Sequence, residues 1–545
     1  MSFALPPTDT AQAPLFTDLA QCHGWLKTLP VMNPLQSQGQ LLVQLHLLNG
    51  YTLPGAVRLA LLEALREPIH FAQSETAKKF AGRPLPLTLP EQAVQQAVHN
   101  LWAALHNGYL RCLAASLAGE DNLEQHAGTL CQRALAALTD DYIDLMRAGC
   151  QPDNTLWRQA HVLYSSAATL GVTQFAVPDG QRTAGTMTPA AAYVELMLLS
   201  AASLHELPPR QQAWVIRWAR LWADKVDIIM APVFNSPALP LCVDLDSSAP
   251  ASFRPQEGPG ARWLETTELR KSLKRRLTLL ARGDPADTPA RLGLGDDCPQ
   301  PACGEVLRGI YPRWVKGGIL RRHDRHPMSG ACRFAAGIDA IHYYLSGHQA
   351  FKPPGSTSTE ELRRQREELG TFGRIATRFE ENFSRNHAFQ LESWSVIEDW
   401  GLFDQSADGL RLVRPRDQSG GRLAIGQLVA MQPAVSSSFL LGVVRWAQVV
   451  DGQLATGIQL MVGKPLPVAL RRTGVMATQD KYQPGFLLTL PAAPKQPVEV
   501  ILPPGSFKPE RIMEAWTEIV TYRIKLKALS ERGTDYERAS CEEVL

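Results

Sequence analysis

From residue 36 to about 228, apolar side chains recur at intervals of three and four, and strict alternation is nearly absent. That is the period of helices that bury one face. The spacing predicts helices over 37–48, 54–67, 89–118, 122–147, 154–170, 188–204 and 208–228. Pro54, Pro90 and Pro209 stand near predicted helix starts, where a missing N–H costs nothing. Leu101-Trp102-x-x-x-His106-x-x-Tyr109 recurs as Leu156-Trp157-x-x-x-His161-x-x-Tyr164. Positions i, i+4 and i+7 share a helix face, so each copy predicts a stripe of Trp, His and Tyr. Such a stripe suits helix packing and protein contact equally.

The pattern changes on either side of this region. Residues 1–34, rich in Pro, Thr and Gln, are expected to lie extended on the surface. Residues 229–319 form a connecting region broken by Pro232, Pro237, Pro240, Pro250, Pro255 and Pro259, followed by a helix bearing Arg270, Lys271, Lys274, Arg275, Arg276 and Arg282 without an intervening acid. Over 358–384, Ser358-x-x-Glu361 reads as a capping box. Leu362, Leu369, Phe372, Ala376, Phe379 and Phe383 then fall at heptad spacing, which predicts a helix able to self-associate or to dock on its own chain. From 390 onward the period is 2, with strands predicted at 391–398, 409–414, 424–432, 438–449 and 453–462. A further β-rich segment, 466–545, carries predicted strands at 484–490, 497–502 and 518–530. The expected fold class is α+β and multidomain: an all-α domain over 35–228, then a C-terminal antiparallel β-barrel over 320–465 with a helical insertion.

Composition narrows the function more than the fold. At 545 residues the chain exceeds one ordinary core. A formal charge of +2 excludes a globally basic nucleic-acid binder. Locally, 270–325 hold 13 Lys/Arg against 6 Asp/Glu, a net of +7, which is either a solvated helix face or an anion-attracting rim. Nine scattered cysteines fit a reducing compartment. The N-terminus lacks a basic n-region and an apolar h-region, and the most apolar stretch, 190–204, is interrupted by Glu195. A cytoplasmic protein without a membrane span is therefore expected. Cys298-x4-Cys303 with His323-x2-His326 is looser than structural zinc motifs, so no metal is expected, and no cofactor either. Glu63-Ala64-Leu65 resembles a cyclic di-GMP phosphodiesterase signature, but it sits in an ordinary amphipathic helix and reads as coincidence. No Walker A, G-x-S-x-G or G-x-G-x-x-G lies between a strand and a helix, and no enzyme is expected.

The strongest chemical signal is a pair of motifs. Arg321-Arg322-His323-Asp324-Arg325 reads as R-x-x-x-R, and Asp404-Gln405-Ser406-Ala407-Asp408-Gly409 reads as D-x-S-x-x-G, running into the strand Leu410-Arg411-Leu412-Val413. Arginine's planar donor fork matches a phosphate or a guanine Hoogsteen edge. Asp and Ser side chains bond backbone at tight turns, and glycine permits close backbone approach or positive φ. Together, in this order, the motifs resemble the PilZ domain, a bacterial receptor module for cyclic di-GMP. Ile425-Gly426-Gln427-Leu428-Val429, Val443-Val444-Arg445-Trp446 and Gly457-Ile458-Gln459-Leu460 also look like that family's later strands. The resemblance implies a six-stranded antiparallel barrel, with Arg321, Arg322 and Arg325 wrapping ligand held against Asp404, Ser406 and Gly409. It also implies a bacterial receptor that reports to an unknown protein partner through its helical domain. Two departures stand out: Leu320 occupies a position where many members carry arginine, and 78 residues separate Arg325 from Asp404. The rival readings are an adaptor whose barrel no longer binds nucleotide, and a nucleic-acid binder using 270–325.

Overall fold

The structure, a computed structural model, describes residues 5–544 apart from 121–122, 182–184, 233–239, 319–322, 352, 355–396, 474–480, 491–492 and 518. The expected insertion helix at 358–384 lies outside the described residues, as do Arg321 and Arg322. The chain divides into two compact units: Met1–Arg83 with Leu87–Arg321, and Arg322–Leu545 with Pro84–Pro86.

The first unit is mainly helical: α1 (Leu19–Leu26), α2 (Pro34–Gly50), α3 (Gly55–Ala77), α4 (Leu89–Leu117), α5 (Ala127–Arg147) and α6 (Asn154–Thr169). The two-stranded β1 (Val177–Pro178) and β2 (Thr186–Met187) precede α7 (Pro189–Ala202) and α8 (Pro209–Trp222). A three-stranded sheet of β3 (Asp227–Ile229), β4 (Leu241–Asp244) and β5 (Ala261–Glu265) leads to α9 (Thr267–Arg282) and α10 (Ala302–Val315). Local chemistry sets several starts. Thr88 and Glu91 form the capping box of α4, and Asp153 accepts from Thr155 N and Leu156 N at the head of α6.

Three sequence expectations for this unit need correction. Residues 1–34 are not wholly extended, because Asp18 caps the helix α1. The helix expected to stop at 67 continues through Pro68 to Ala77. A proline inside a helix costs about 3 kcal/mol, offset here by burial of Ile69, Ala72, Thr76 and Ala77 on the following turns. The helix expected over 208–228 ends at Trp222, and Asp227–Ile229 instead pairs with β5, whose partner Glu265 is remote in sequence.

Charge buried in the core of this unit, or bordering it, is paired. Asp179 accepts from Arg66 Nη2 at 2.8 Å and from Gln132 Nε2 at 2.9 Å. Glu63 accepts from Tyr109 Oη at 2.7 Å and lies 3.0 Å from Arg133 Nε. Burial pushes the Glu63 carboxyl up, but the hydrogen bond and charge of Arg133, with smaller help from Tyr109 and Arg66, together hold it below its usual range. The Glu63 of the E-A-L tripeptide is thus a packing residue.

The second unit contains two closed six-stranded barrels. The first comprises β6 (His326–Ala336), β7 (Glu398–Ser406), β8 (Gly409–Pro415), β9 (Leu428–Pro433), β10 (Leu440–Val450) and β11 (Gln453–Leu460). Helix α11 (Ile338–Leu345) follows β6. The second comprises β12 (Lys464–Arg472), β13 (Gln483–Leu490), β14 (Ala493–Leu502), β15 (Ile512–Trp516), β16 (Thr521–Arg532) and β17 (Glu537–Glu543). All strand pairings within the two barrels are antiparallel, and in both the strands run around the ring in the order first, second, third, sixth, fifth, fourth. The α+β architecture matches the expectation, and the segment read only as β-rich proves to be a barrel with the same strand order. The barrels share a core: Leu428, Ala430, Leu441 and Val443 of the first pack with Phe486, Leu488, Ile501 and Tyr536 of the second, together with Ile341 and Tyr344 of α11.

Turn chemistry and buried charge fix the first barrel. Asp451 and Gly452, at φ +48° and +73°, form the two-residue loop that joins β10 to β11, since two positive-φ residues match the strand twist there. At one end Arg414 is 2% exposed, with its guanidinium 5.0 Å from the Trp400 ring. It donates to the carbonyls of Gln418 and Gly421 and lies 3.5 Å from Glu398. Glu398 in turn accepts from Trp400 Nε1 and Gly421 N. Arg414→Ala would leave this carboxylate buried without its counter-charge. Chemical denaturation of the full chain should show a loss of about 3–5 kcal/mol in the barrel transition.

Candidate functional site

The register of three strands brings the motif residues together. In the pairing of β6 with β7, His326 lies opposite Gln405 and Pro327 opposite Asp404. Arg325, immediately before β6, therefore reaches β7, and its Nη1 donates to Asp404 Oδ1 at 2.9 Å. The 78-residue interval between them leaves this contact intact, because it joins two strands that pair directly. Both side chains stay partly open to solvent, Arg325 at 31% and Asp404 at 14%.

Ala407 and Asp408 close the β7–β8 hairpin, with Ser406 opposite Gly409. Ser406 Oγ donates within this turn, at 3.0 Å from Asp408 Oδ1 and 3.4 Å from the Gly409 carbonyl oxygen. The Asp408 carbonyl accepts from Leu460 N at 2.9 Å, tying the turn to β11. Of the two roles open to Gly409, the structure selects close approach: a Cβ there would stand 2.9 Å from the Ile458 carbonyl oxygen. Among the expected residues, the structure thus assembles Arg325, Asp404, Ser406 and Gly409, while Arg321 and Arg322 are outside the described residues.

Phe403, Arg411 and Trp446 join the site only through the tertiary structure. Arg411 pairs with Asp404 across the hairpin, and its guanidinium carbon lies 4.2 Å from the Phe403 ring and 5.8 Å from the Trp446 ring. Its Nε is buried without a hydrogen-bond partner among the described residues. Trp446 sits at a β-bulge in β10, opposite Gly457. A Cβ on Gly457 would fall 2.0 Å from the Trp446 indole nitrogen, so this glycine makes room for the ring. The signal for Arg411 was present as the outward position between Leu410 and Leu412. In the sequence Trp446 reads only as part of a strand. The assembled patch offers two guanidinium groups, one oriented by a carboxylate, beside two aromatic faces. Such a set suits a planar ligand bearing phosphate.

The aromatic stripes of the helical unit have a different role. Trp102, His106 and Tyr109 are buried, as are Trp157, His161 and Tyr164. Trp102 Nε1 donates to Asp144, and His106 Nδ1 lies 3.0 Å from the Ala134 carbonyl oxygen. Burial pushes the His106 imidazole down to about 4, so it is neutral and donates from Nδ1. His161 lies between Tyr193 Oη and the Ala249 carbonyl, and Tyr164 stacks on Tyr193. Both stripes are packing residues, which decides between the two expected roles. Among the described residues, no group of three or more His, Cys, Asp or Glu could hold a metal ion, and no helix is long and apolar enough to cross a membrane.

Residues 20–232, from α1 to just beyond β3, match a family model described as the N-terminal domain of the cyclic-di-GMP receptor FimW. The chain is also 24% identical over 536 residues to the cyclic-di-GMP receptor FimW of Pseudomonas aeruginosa, an alignment covering 91% of this chain and 86% of that protein. It resembles that receptor along nearly its whole length.

Gly409→Ala tests the close approach. The added methyl must displace β11 backbone, so thermal unfolding should show a loss of about 1–3 kcal/mol, whereas Ala407→Gly, in the open turn, should cost less.

Proposed function

We propose that the protein is a bacterial receptor for cyclic di-GMP that binds the messenger on its first barrel in the PilZ manner and reports occupancy through its helical unit. The observation that carries the binding site is the Arg325–Asp404 pair beside the Ser406–Gly409 turn. The ion pair holds one arginine fork in place before ligand arrives, which lowers the entropy lost on binding. The ligand's phosphates and guanine edges accept the bidentate donors that arginine offers. Arg321 and Arg322 supply further positive charge from the segment leading into β6. The similarity to a named cyclic-di-GMP receptor supports the ligand class independently of the barrel motif.

Isothermal titration of the full chain with cyclic di-GMP is the direct test. Arg325→Ala and Arg321→Ala should each weaken binding by at least about thirtyfold, the scale for losing a desolvated charge-assisted contact. Arg325→Lys should recover only part of it, because an ammonium lacks the fork. Ser406→Ala should weaken binding less, acting through the turn. A parent protein that does not bind, with its barrel intact, would identify a ligand-free adaptor.

Reporting through the helical unit requires more than occupancy. Hydrogen exchange on the full chain should show ligand-dependent protection around 323–330 and 400–415, and also changed exchange within 20–232. Protection confined to the barrel would leave the receptor reading standing and remove the output role.

A further inference from the structure

The basic helix noted in the sequence is α9, and its two faces differ sharply. Leu269 and Leu273 are fully buried, and Arg276 is consumed in anchoring the helix. The Arg276 guanidinium carbon lies 5.0 Å from the Trp222 ring, and its Nε donates to the Leu292 carbonyl at 2.8 Å. On the opposite face Lys271, Lys274, Arg275, Thr278 and Arg282 are exposed. They recur at i, i+3, i+4, i+7 and i+11, a single stripe about 16 Å long at the helical rise. Lys271 pairs with Glu268 at 2.7 Å, while among the described residues no ion pair joins Lys274, Arg275 or Arg282. Like charges at these spacings repel one another, and surfaces without a partner usually interleave both signs. Half-buried Leu277 and Leu279 border the stripe, the first one turn from Lys274 and the second one turn from both Arg275 and Arg282.

We infer that this face of α9 is a docking surface for an acidic, amphipathic helical segment of a partner protein. A membrane-binding amphipathic helix gains much of its affinity by inserting its apolar face; here Leu269 and Leu273 are committed to the protein's own core. The same lysines and arginines could contact nucleic-acid phosphates, but α9 carries no aromatic side chain on which bases could stack, and the half-buried Leu277 and Leu279 at its border suit an apolar partner instead. A partner helix with acidic side chains repeating every three and four residues matches the stripe in period. Apolar residues on its flanks would meet Leu277 and Leu279. The inference is independent of the cyclic di-GMP site.

The test uses the full chain and a labelled helical peptide with Glu at i, i+4, i+7 and i+11 and Leu on either side. Fluorescence anisotropy should show binding that weakens as salt rises. A scrambled peptide of the same composition should bind about tenfold more weakly, and Lys274→Glu with Arg275→Glu should reduce affinity by a similar factor or more. Circular dichroism and the cyclic di-GMP titration should be unchanged in that variant, because both side chains face solvent. Equal binding of the two peptides, or an unaffected variant, would overturn the inference. So would tighter binding to duplex DNA or to phosphatidylglycerol vesicles at the same salt, since either would identify a different class of partner.

Discussion

The candidate site depends on the antiparallel register of β6, β7 and β8. One residue of slip would turn Asp404 away from Arg325, because successive strand residues face opposite sides of the sheet. Barrel closure makes such a slip costly, since both edges of every strand are already paired. The Gly409 contact with Ile458 and the Asp408–Leu460 hydrogen bond lock the same hairpin to β11. A long insertion between β6 and β7 therefore costs the site little: loop-closure entropy grows only slowly with length, while the strand ladder fixes where the ends must lie.

The two barrels share strand order but not chemistry. Between β13 and β14, the strands corresponding to β7 and β8, the sequence reads Leu490-Pro491-Ala492-Ala493, without the Asp, Ser and Gly of the motif. Nor does a pair of arginines four residues apart precede β12. The strand order is thus shared while the motif residues are confined to the first barrel. What the second barrel contributes instead is apolar surface: Phe486, Leu488, Ile501 and Tyr536 complete the core against the first barrel and α11.

In the helical unit, buried charges are matched to partners, one of them at the edge of the core. Arg66, Arg133, Glu63, Asp179, Tyr109 and Gln132 satisfy one another across α3, α4, α5 and the segment around β1. Paired ions of this kind add little net stability but are costly to leave half-made. They therefore penalise packings that separate the partners. In the aromatic stripes, Trp102, Tyr109 and His161 likewise match their polar tips to a carboxylate, carbonyl or hydroxyl, and His106 matches Nδ1 to a carbonyl.

The sequence by itself determined element type wherever one period persisted. The helices of the first unit and the strands from Gly409 to Leu460 follow directly from their apolar repeats, because one buried face imposes its period on the chain. The motif residues were also legible, since their chemistry is local. What only the tertiary structure decided was everything set by a distant partner. Strand β6 was hidden because most of its first half is exposed and its identity comes from pairing with β7 and β9. Helix α3 passed its proline because later turns are buried. Arg411 and Trp446 gained meaning only beside Asp404, and Gly409 proved to serve a neighbouring strand's carbonyl rather than its own φ. Period and side-chain chemistry are properties of a segment, whereas register, closure and burial belong to pairs of segments that the linear sequence leaves apart.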